Sequence, residues 1–314
     1  MKENTSTVDA HQVVESAWQD QAIWSETANR LKAELTKWRN LAAFAGVLGA
    51  FLETLAAALI GLDERWVWLR ALIALAGAVV LAAVPYLMRT KASKDRVKEW
   101  IRCRSASEAL KETIYRYLVG APPFGPRSFP ADLIDECQTI KDNVRDLSNL
   151  AALIEPPRKV RPLELTIDGY VESRVKDQIE RYYRPKSREN AHAAKNLHDL
   201  EFWLGMLAVV IGALASFAIA KGLPNLSTLG PWAAVVTTAT AAVTAHLAAS
   251  RYDHQAMIYF STAERLNSLQ NKWLSRPDRL DPARIAEFVD NCEHAISTQN
   301  EAWLAEWTRE QNEK

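Results

Sequence analysis

Residues 41–62 read LAAFAGVLGAFLETLAAALIGL, and residues 66–88 read WVWLRALIALAGAVVLAAVPYLM. A helix needs about 20 predominantly apolar residues to cross a hydrocarbon core, so each stretch is long enough for one span. Two further blocks, residues 202–220 and 229–249, have the same length and character, although the fourth contains only 5 Leu, Ile, Val or Phe residues. The sequence therefore predicts four transmembrane helices, arranged as two hairpins.

The alternative interpretation of these blocks is a soluble bundle whose long apolar helices are buried. Block length argues against it, because each block is long enough to span a bilayer. Tryptophans at the block edges also favour a membrane, since an indole ring sits well at the headgroup level. These tryptophans are Trp38, Trp66, Trp68, Trp203 and Trp232.

Lysine and arginine are distributed unevenly around the four blocks. The stretches of about 20 residues that flank each block on the side of the chain termini contain 18 of them in total, whereas the two short turns contain only Arg65 and Lys221. Flanks rich in Lys and Arg face the cytoplasm. We therefore expect a multi-pass protein of the inner cell membrane, with both termini and the middle of the chain in the cytoplasm.

The second half of the chain partly repeats the first at an offset of about 157 residues. The matching stretches are Asp20-Gln21 with Asp177-Gln178, and Ala92-Ser93-Lys94 with Ala249-Ser250-Arg251. This pattern predicts two helix–hairpin–helix repeats, residues 1–155 and 165–314, joined by a Pro-rich linker at residues 156–164. Because each repeat enters and leaves the membrane on one side, the two hairpins are predicted to be parallel.

Outside the blocks, apolar residues recur at alternating spacings of three and four, which predicts long helices with one buried face. The first such seam comprises Val14, Ala17, Gln21, Trp24, Ala28, Leu31, Leu35, Trp38 and Ala42. It runs into the first span without a breaker, and similar seams are expected to continue the second and fourth spans. The predicted fold is an all-α integral membrane protein, with two parallel transmembrane helical hairpins whose long helices extend into a cytoplasmic helical bundle.

Composition excludes several functional classes. The 38 Lys and Arg residues are balanced by 38 Asp and Glu residues, so no net charge favours nucleic acid. The cysteines, Cys103, Cys137 and Cys292, have no spacing typical of a disulfide framework or zinc site, and we expect reduced thiols. The six histidines lack metal-ligand spacing, and no phosphate loop or nucleophile motif is present. We therefore expect no enzyme activity, catalytic residue, metal site or cofactor.

Glu53 lies near the middle of the first span, where an ionised carboxylate costs a few kcal/mol unless it is paired, hydrated or protonated. If the turn is centred near Asp63, Glu53 lies opposite Ala74 of the second span. Arg70, about one helical turn nearer the outer surface, then comes within reach of Glu53. Two interpretations stay open. The pair Glu53–Arg70 holds the hairpin together, or Glu53 faces an aqueous path.

Thr237, Thr240 and Thr244 share one face of the fourth span. Threonines in a membrane helix can bond backbone carbonyls one turn back, and small residues allow helices to approach closely. Helix packing is therefore one interpretation of this face, and a hydroxyl-lined pore is the other. The two are compatible if the hairpins oligomerise.

At the start of the second repeat, Tyr170, Arg174, Gln178 and Tyr182 form a helical face that repeats every four residues. A basic helix and a two-span hairpin follow. With this motif, residues 165 to about 275 resemble the SLATT group of prokaryotic two-transmembrane domains, specifically a widespread bacterial subfamily of otherwise unknown function.

The first half resembles that group through its hairpin architecture and through Asp20-Gln21. Gly169 and Arg181 depart from the pattern, since an acidic and an aromatic residue are expected there. The resemblance implies a membrane-embedded effector of bacterial conflict systems, which opens pores when a linked nucleotide-based sensor fires.

Two functional hypotheses follow. The first is an oligomeric pore-forming or membrane-permeabilising effector, since four spans are too few to enclose a wide path. The second is a non-conducting anchor or adaptor, whose cytoplasmic helical bundle recruits a partner. The expected partners are the lipid bilayer, further copies of the chain and a cytoplasmic sensor protein, but no nucleic acid.

Overall fold

The computed structural model describes residues 10–59, 66–125, 128–155, 165–223 and 229–312, with side chains described up to residue 297. Within these ranges the regular structure is helical throughout, so the all-α prediction is confirmed. The helices are α1 (Ala10–Ala58), α2 (Val67–Thr90), α3 (Lys94–Val119), α4 (Pro130–Asp142), α5 (Ser148–Ala151), α6 (Ile167–Ala220), α7 (Gly230–Ser250), α8 (Tyr252–Leu274) and α9 (Pro282–Asn312). A 3₁₀ turn, Arg145–Leu147, precedes α5. The predicted linker at residues 156–164 lies outside the described residues.

Four stretches of helix are long and apolar enough to cross a membrane: α1, α2, α6 and the pair α7–α8. The chain is therefore a membrane protein with four candidate spans, as the apolar blocks predict. Large apolar side chains on these helices face outward, for example Phe44 and Leu75, which are 63% and 61% exposed in the single chain. Such exposure suits a hydrocarbon surrounding, because lipid tails solvate leucine and phenylalanine as well as a protein core does.

The chain divides into two compact units. The bundle unit comprises Met1–Lys32, Val97–Arg188 and Ala256–Lys314, and the span unit comprises Ala33–Arg96 and Glu189–Gln255. The span unit contains all four apolar blocks of the sequence. The bundle unit contains the remainder of the long helices, together with α4, α5 and α9.

The bundle unit is built around one apolar core. Leu110 and Ile114 of α3, Leu133 of α4, Val175 of α6 and Leu266 of α8 are each 0% exposed and belong to the same cluster. The seam predicted for α1 also points inward, with buried residues at Val14, Ala17, Gln21, Trp24, Ala28 and Leu31. Burial of seams from several helices, rather than their helix propensity alone, therefore holds these helices together.

The three cysteines are buried free thiols, as the sequence predicts. Burial raises the pKa of Cys103 and of Cys137 to about 11, and it also raises the pKa of Cys292. A thiolate is disfavoured in an apolar surrounding.

The second and fourth spans do not continue into the following helices, contrary to the prediction. In the first repeat, the N–H groups of Lys91 and Ala92 both donate to Leu87 O, and the helix restarts with Arg96 N donating to Ser93 Oγ. In the second repeat, Arg251 adopts a left-handed φ of 50° and its N–H donates to Leu247 O at 2.9 Å.

The first break lies between Thr90 and Lys94 and includes most of Ala92-Ser93-Lys94. The second lies at Arg251, the last residue of the matching stretch Ala249-Ser250-Arg251. At the second break, the Gln255 side chain donates to Ser250 O at 2.6 Å and so satisfies a carbonyl that the helix end leaves unpaired. The entering helices α1 and α6 are continuous, so the two halves share the same asymmetry between entering and returning spans.

Candidate functional site

The residues of the four-residue motif lie on the first turns of α6, where the backbone is wound more loosely than an α-helix. The segments Val171–Lys176 and Gln178–Tyr183 are π-helical. Their i→i+5 hydrogen bonds put more residues in each turn than the 3.6 of an α-helix.

Two motif residues meet a buried carboxylate, Glu293 of α9. Arg174 Nη2 donates to Glu293 Oε2 at 2.7 Å and Arg174 Nε donates to Oε1 at 3.0 Å. The Tyr170 hydroxyl donates to the same Oε1 at 2.8 Å. All three residues are at most 1% exposed. Arg174 and Glu293 thus form a buried bidentate ion pair in the bundle unit, the geometry in which an arginine–carboxylate pair is strongest. Together with the Tyr170 hydroxyl they form the Tyr170–Arg174–Glu293 triad.

Aromatic rings enclose the triad. The Arg174 guanidinium carbon lies 4.8 Å from the centroid of the Tyr115 ring, so a cation–π contact covers one face of the charge. Tyr170 makes edge-to-face contacts with Tyr115 and with Phe288. Burial raises the pKa of Tyr170 well above its usual range. The phenol therefore remains a neutral donor to Glu293.

The charges of Arg174 and Glu293 shift each other's surroundings and the pKa values of groups close to them. Burial opposes the charged form of Arg174, but the Glu293 carboxylate outweighs it and raises the guanidinium pKa well above its usual range. Burial, and then repulsion from Glu293, raises the pKa of Glu112 on α3. Arg174 Nη1 is buried without a hydrogen-bond partner in the described part of the chain, as are the indole nitrogens of Trp18 and Trp273.

Lys111 of α3 lies close enough to Arg174 for its pKa to report on burial and on the positive charge of that residue. Burial, and then repulsion from Arg174, lowers its pKa from 10.5 to about 8. Between pH 8 and 10.5 the unfolded chain binds the proton and the folded chain does not, so this group makes the protein more stable as pH rises. Below pH 8 both states are protonated, and the penalty on the folded state is complete.

Lys111→Met is accordingly expected to stabilise the bundle by about 1–3 kcal/mol at pH 7, and the gain should shrink as pH rises above 8. Thermal melts of both proteins at pH 7 and at pH 9.5 measure the difference. Lys176→Met is the matched control, since Lys176 is partly exposed and pairs with Glu172 at 2.8 Å on the surface. Equal melting temperatures for Lys111→Met and the parent protein at pH 7 would contradict the prediction.

The other two motif residues are not part of the triad. Gln178 is half-buried, one turn beyond Arg174. The Tyr182 hydroxyl accepts from Arg104 Nη2 at 3.3 Å, and its ring packs against Tyr183 and Tyr259. The motif thus serves two adjacent clusters, one ionic and one aromatic.

Glu53 contacts Gly77 of the second span. A Cβ at Gly77 would lie 3.0 Å from Glu53 Oε1 and 3.2 Å from its Cγ, so a larger residue there would require the Glu53 side chain to shift. No ion pair joins Glu53 to Arg70 among the described residues, and the pairing interpretation of the hairpin is not supported. The physical reason is a close crossing of α1 and α2, because a Cβ at Gly49 would lie 2.5 Å from Leu81 Cγ. This register places Glu53 opposite Gly77.

The threonine face is occupied by local hydrogen bonds. Thr237 donates to Ala233 O at 2.8 Å and Thr240 donates to Val236 O at 2.9 Å. Thr244 donates to Thr240 O and to the Glu201 carboxylate. No residue of α7 is buried in the single chain.

Comparison with known families distinguishes the two halves. Residues 170–303 match the family described as SMODS and SLOG-associating 2TM effector domain 1. The second half contains a SLATT-like domain. Residues 20–129 match a different family, described as a protein of unknown function (DUF4231). No curated protein and no solved structure matches the chain.

The SLATT-like domain includes the whole triad, since Tyr170, Arg174 and Glu293 all lie within the matched residues. It also includes two candidate spans, within α6 and α7. Matches to two family models, one in each half, partly support the tandem arrangement. Sequence reasoning identified Tyr170 and Arg174 but missed Glu293. The feature of the sequence that could have identified Glu293 is a carboxylate next to Cys292 on an otherwise apolar face of α9.

Among the described residues, no group of three His, Cys, Asp or Glu side chains could hold a metal ion.

Proposed function

We propose that the protein is an oligomeric effector that permeabilises the inner membrane of a bacterium when its helical bundle receives a signal in the cytoplasm. The observation that carries this proposal is the match of residues 170–303 to a two-transmembrane effector-domain family. Two of the four candidate spans belong to that domain.

The fourth span supports an oligomer. Four helices could cross a membrane, and in the one that includes α7 no residue of the apolar stretch is buried within the chain. Its sequence is dominated by alanine and threonine, and small residues are typical of contacts between membrane helices because they let backbones approach closely. A second copy of the chain would bury the surface of α7 that its own chain leaves unburied.

Orientation follows from charge. The short turns contain few basic residues and the flanks on the other side contain many, which favours a cytoplasmic bundle unit. A signal received by the bundle would then act from the same side as the chain termini.

The test is dye release from liposomes that contain the purified protein. Oligomeric protein is expected to release a small dye. Glu53→Leu and Thr240→Val are expected to reduce the rate about tenfold if these residues line the path, since they remove polar groups from the membrane interior. Thr238→Val, on a different face of α7, is the matched control and should leave the rate unchanged.

Absence of release from oligomeric protein would exclude the pore and favour the second candidate, a non-conducting anchor that recruits a partner. More than half of the chain belongs to the bundle unit, which is the observation in favour of that alternative. Release that is unaffected by Glu53→Leu and Thr240→Val would instead remove these residues from the path.

A further inference from the structure

Arg39 of α1 is a half-buried cation in the span unit, two residues before the first apolar block. Within the described ranges, no carboxylate, carbonyl or hydroxyl group bonds its guanidinium. Burial lowers the pKa of Arg39 from its usual value, and no described carboxylate offsets this cost. A guanidinium stays charged at neutral pH and presents five N–H donors. An anion bound to Arg39 would therefore recover free energy that partial burial costs.

An imidazole and two hydroxyl groups lie at the end of α7 that Arg39 approaches. Arg39 and His246 of α7, both in the span unit, are close enough to interact electrostatically. His246 Nε2 lies 3.4 Å from Ser250 Oγ and 3.4 Å from the Tyr252 hydroxyl oxygen. Ser250 ends α7 and Tyr252 begins α8, so the break at Arg251 gathers these groups at one corner. The imidazole and both hydroxyls can donate hydrogen bonds to an anionic oxygen.

Two further cations flank the tryptophan that precedes Arg39. Lys37 Nζ and Lys91 Nζ lie 5.6 Å and 5.7 Å from the centroid of the Trp38 ring. Both lysines are exposed, and neither forms an ion pair with a carboxylate in the described part of the chain. The carboxylate that follows Tyr252 is engaged elsewhere, since Asp253 Oδ2 lies 3.0 Å from His198 Nε2. Positive charge therefore prevails around Arg39, and it would attract an anionic ligand.

Arg39 lies at the depth of the lipid headgroups if the apolar blocks span the bilayer. Leu41 and Phe44, which follow it on α1, are 42% and 63% exposed in the single chain and suit a hydrocarbon surrounding. Trp38 precedes it, and an indole ring is typical of the interface between lipid and water. A guanidinium between these two zones meets the phosphate groups of lipids before any other anion.

We propose that Arg39 is the centre of a binding site for a phosphate group, and that the ligand is an anionic phospholipid held between α1 and the corner of α7 and α8. The guanidinium fork would bond two phosphate oxygens. His246 and the Tyr252 hydroxyl would donate to the same group, while Lys37 and Lys91 would attract its charge. The site goes beyond the proposed function, because it requires neither conduction nor a signal to the bundle unit.

The experiment is native mass spectrometry of the full-length protein, released from detergent micelles that contain phosphatidylglycerol or phosphatidylcholine. The parent protein is expected to bind the anionic lipid about tenfold or more tightly than the neutral one. Arg39→Gln should weaken phosphatidylglycerol binding about tenfold, because the charge and the guanidinium fork are both lost. Arg39→Lys keeps the charge without the fork and should restore only part of the affinity.

Arg89→Gln is the matched control, since Arg89 is an exposed arginine in the last turn of α2, next to the end of the second span. It removes the same charge and should change the affinity by less than about twofold. Tyr252→Phe removes a single donor of the site and should weaken binding about threefold. Because Arg39 is a half-buried charge without a bond in the described ranges, Arg39→Gln should melt without lipid at a temperature no lower than the parent protein.

Excess inorganic phosphate distinguishes a lipid headgroup from a soluble phosphate. It is expected to leave phosphatidylglycerol bound, because phosphate lacks the acyl chains that pack on the exposed apolar surface of α1. Displacement of the lipid would overturn the lipid assignment and leave a site for a soluble phosphate. Equal affinity for the two lipids, unchanged affinity in Arg39→Gln, or an equal loss in Arg89→Gln would overturn the site itself. Failure of the dye-release test leaves these outcomes unaffected, since lipid binding does not depend on conduction.

Discussion

Glu293→Gln is expected to lower the free energy of unfolding of the bundle by about 3–5 kcal/mol. The substitution keeps the shape of the side chain but removes the charge that compensates Arg174. Because Arg174 is 1% exposed, its guanidinium cannot recover water as a partner. An uncompensated buried charge is among the most costly single changes that a folded protein can suffer.

Thermal denaturation of the detergent-solubilised protein, followed by tryptophan fluorescence, measures this loss. Glu264→Gln is the matched control, since Glu264 pairs with Arg184 at 3.3 Å with both side chains partly exposed. It should cost less than about 1 kcal/mol. Replacing both members of the buried pair, as Arg174→Met with Glu293→Leu, should restore much of the stability lost in Glu293→Gln. A small effect of Glu293→Gln would show that the pair is not sealed from water.

Gly49→Leu is expected to disrupt the first hairpin. The new Cβ would lie 2.5 Å from Leu81 Cγ and 3.3 Å from Gly77 O, so the Leu81 side chain must be displaced, and the rest of the new leucine is expected to push α1 and α2 apart. Separation loses the packing that holds membrane helices together, at a cost of about 1–3 kcal/mol or more. The hydrophobicity of the span rises at the same time, so insertion itself is not impaired.

Gly46→Leu is the matched control on the same helix, because a Cβ at Gly46 meets no atom within 4 Å. Its melting temperature should stay the same or rise, since leucine favours a helix over glycine. Circular dichroism during heating in detergent compares the two variants. Equal melting temperatures for Gly49→Leu and Gly46→Leu would refute the close crossing.

Features that depend on local periodicity could be predicted from the sequence. The apolar blocks identify the four candidate spans, and the three–four seam before the first span identifies the buried face of α1. Periodicity does not reveal which side chains meet across the fold. Arg174 and Glu293 are 119 residues apart, so the motif showed the arginine but not its partner.

The helix breaks and the register of the first hairpin were harder to predict. Neither Ala92-Ser93-Lys94 nor Ala249-Ser250-Arg251 contains the glycine or proline that usually marks a break. Glu53 was expected opposite Ala74, with Arg70 in reach, but it lies against Gly77. A shift of three residues is almost one helical turn, which is enough to replace a charged neighbour with a small one.

The raised pKa values of Cys103 and Cys137 have a practical consequence for mapping which side of the bilayer each loop faces. With a thiol pKa of about 11, Cys103 and Cys137 carry little of the reactive thiolate at pH 7. Cys292 is also buried, with a raised pKa. The natural chain should therefore give a low background with maleimide reagents. A single cysteine introduced at an exposed position would report sidedness without a cysteine-free parent.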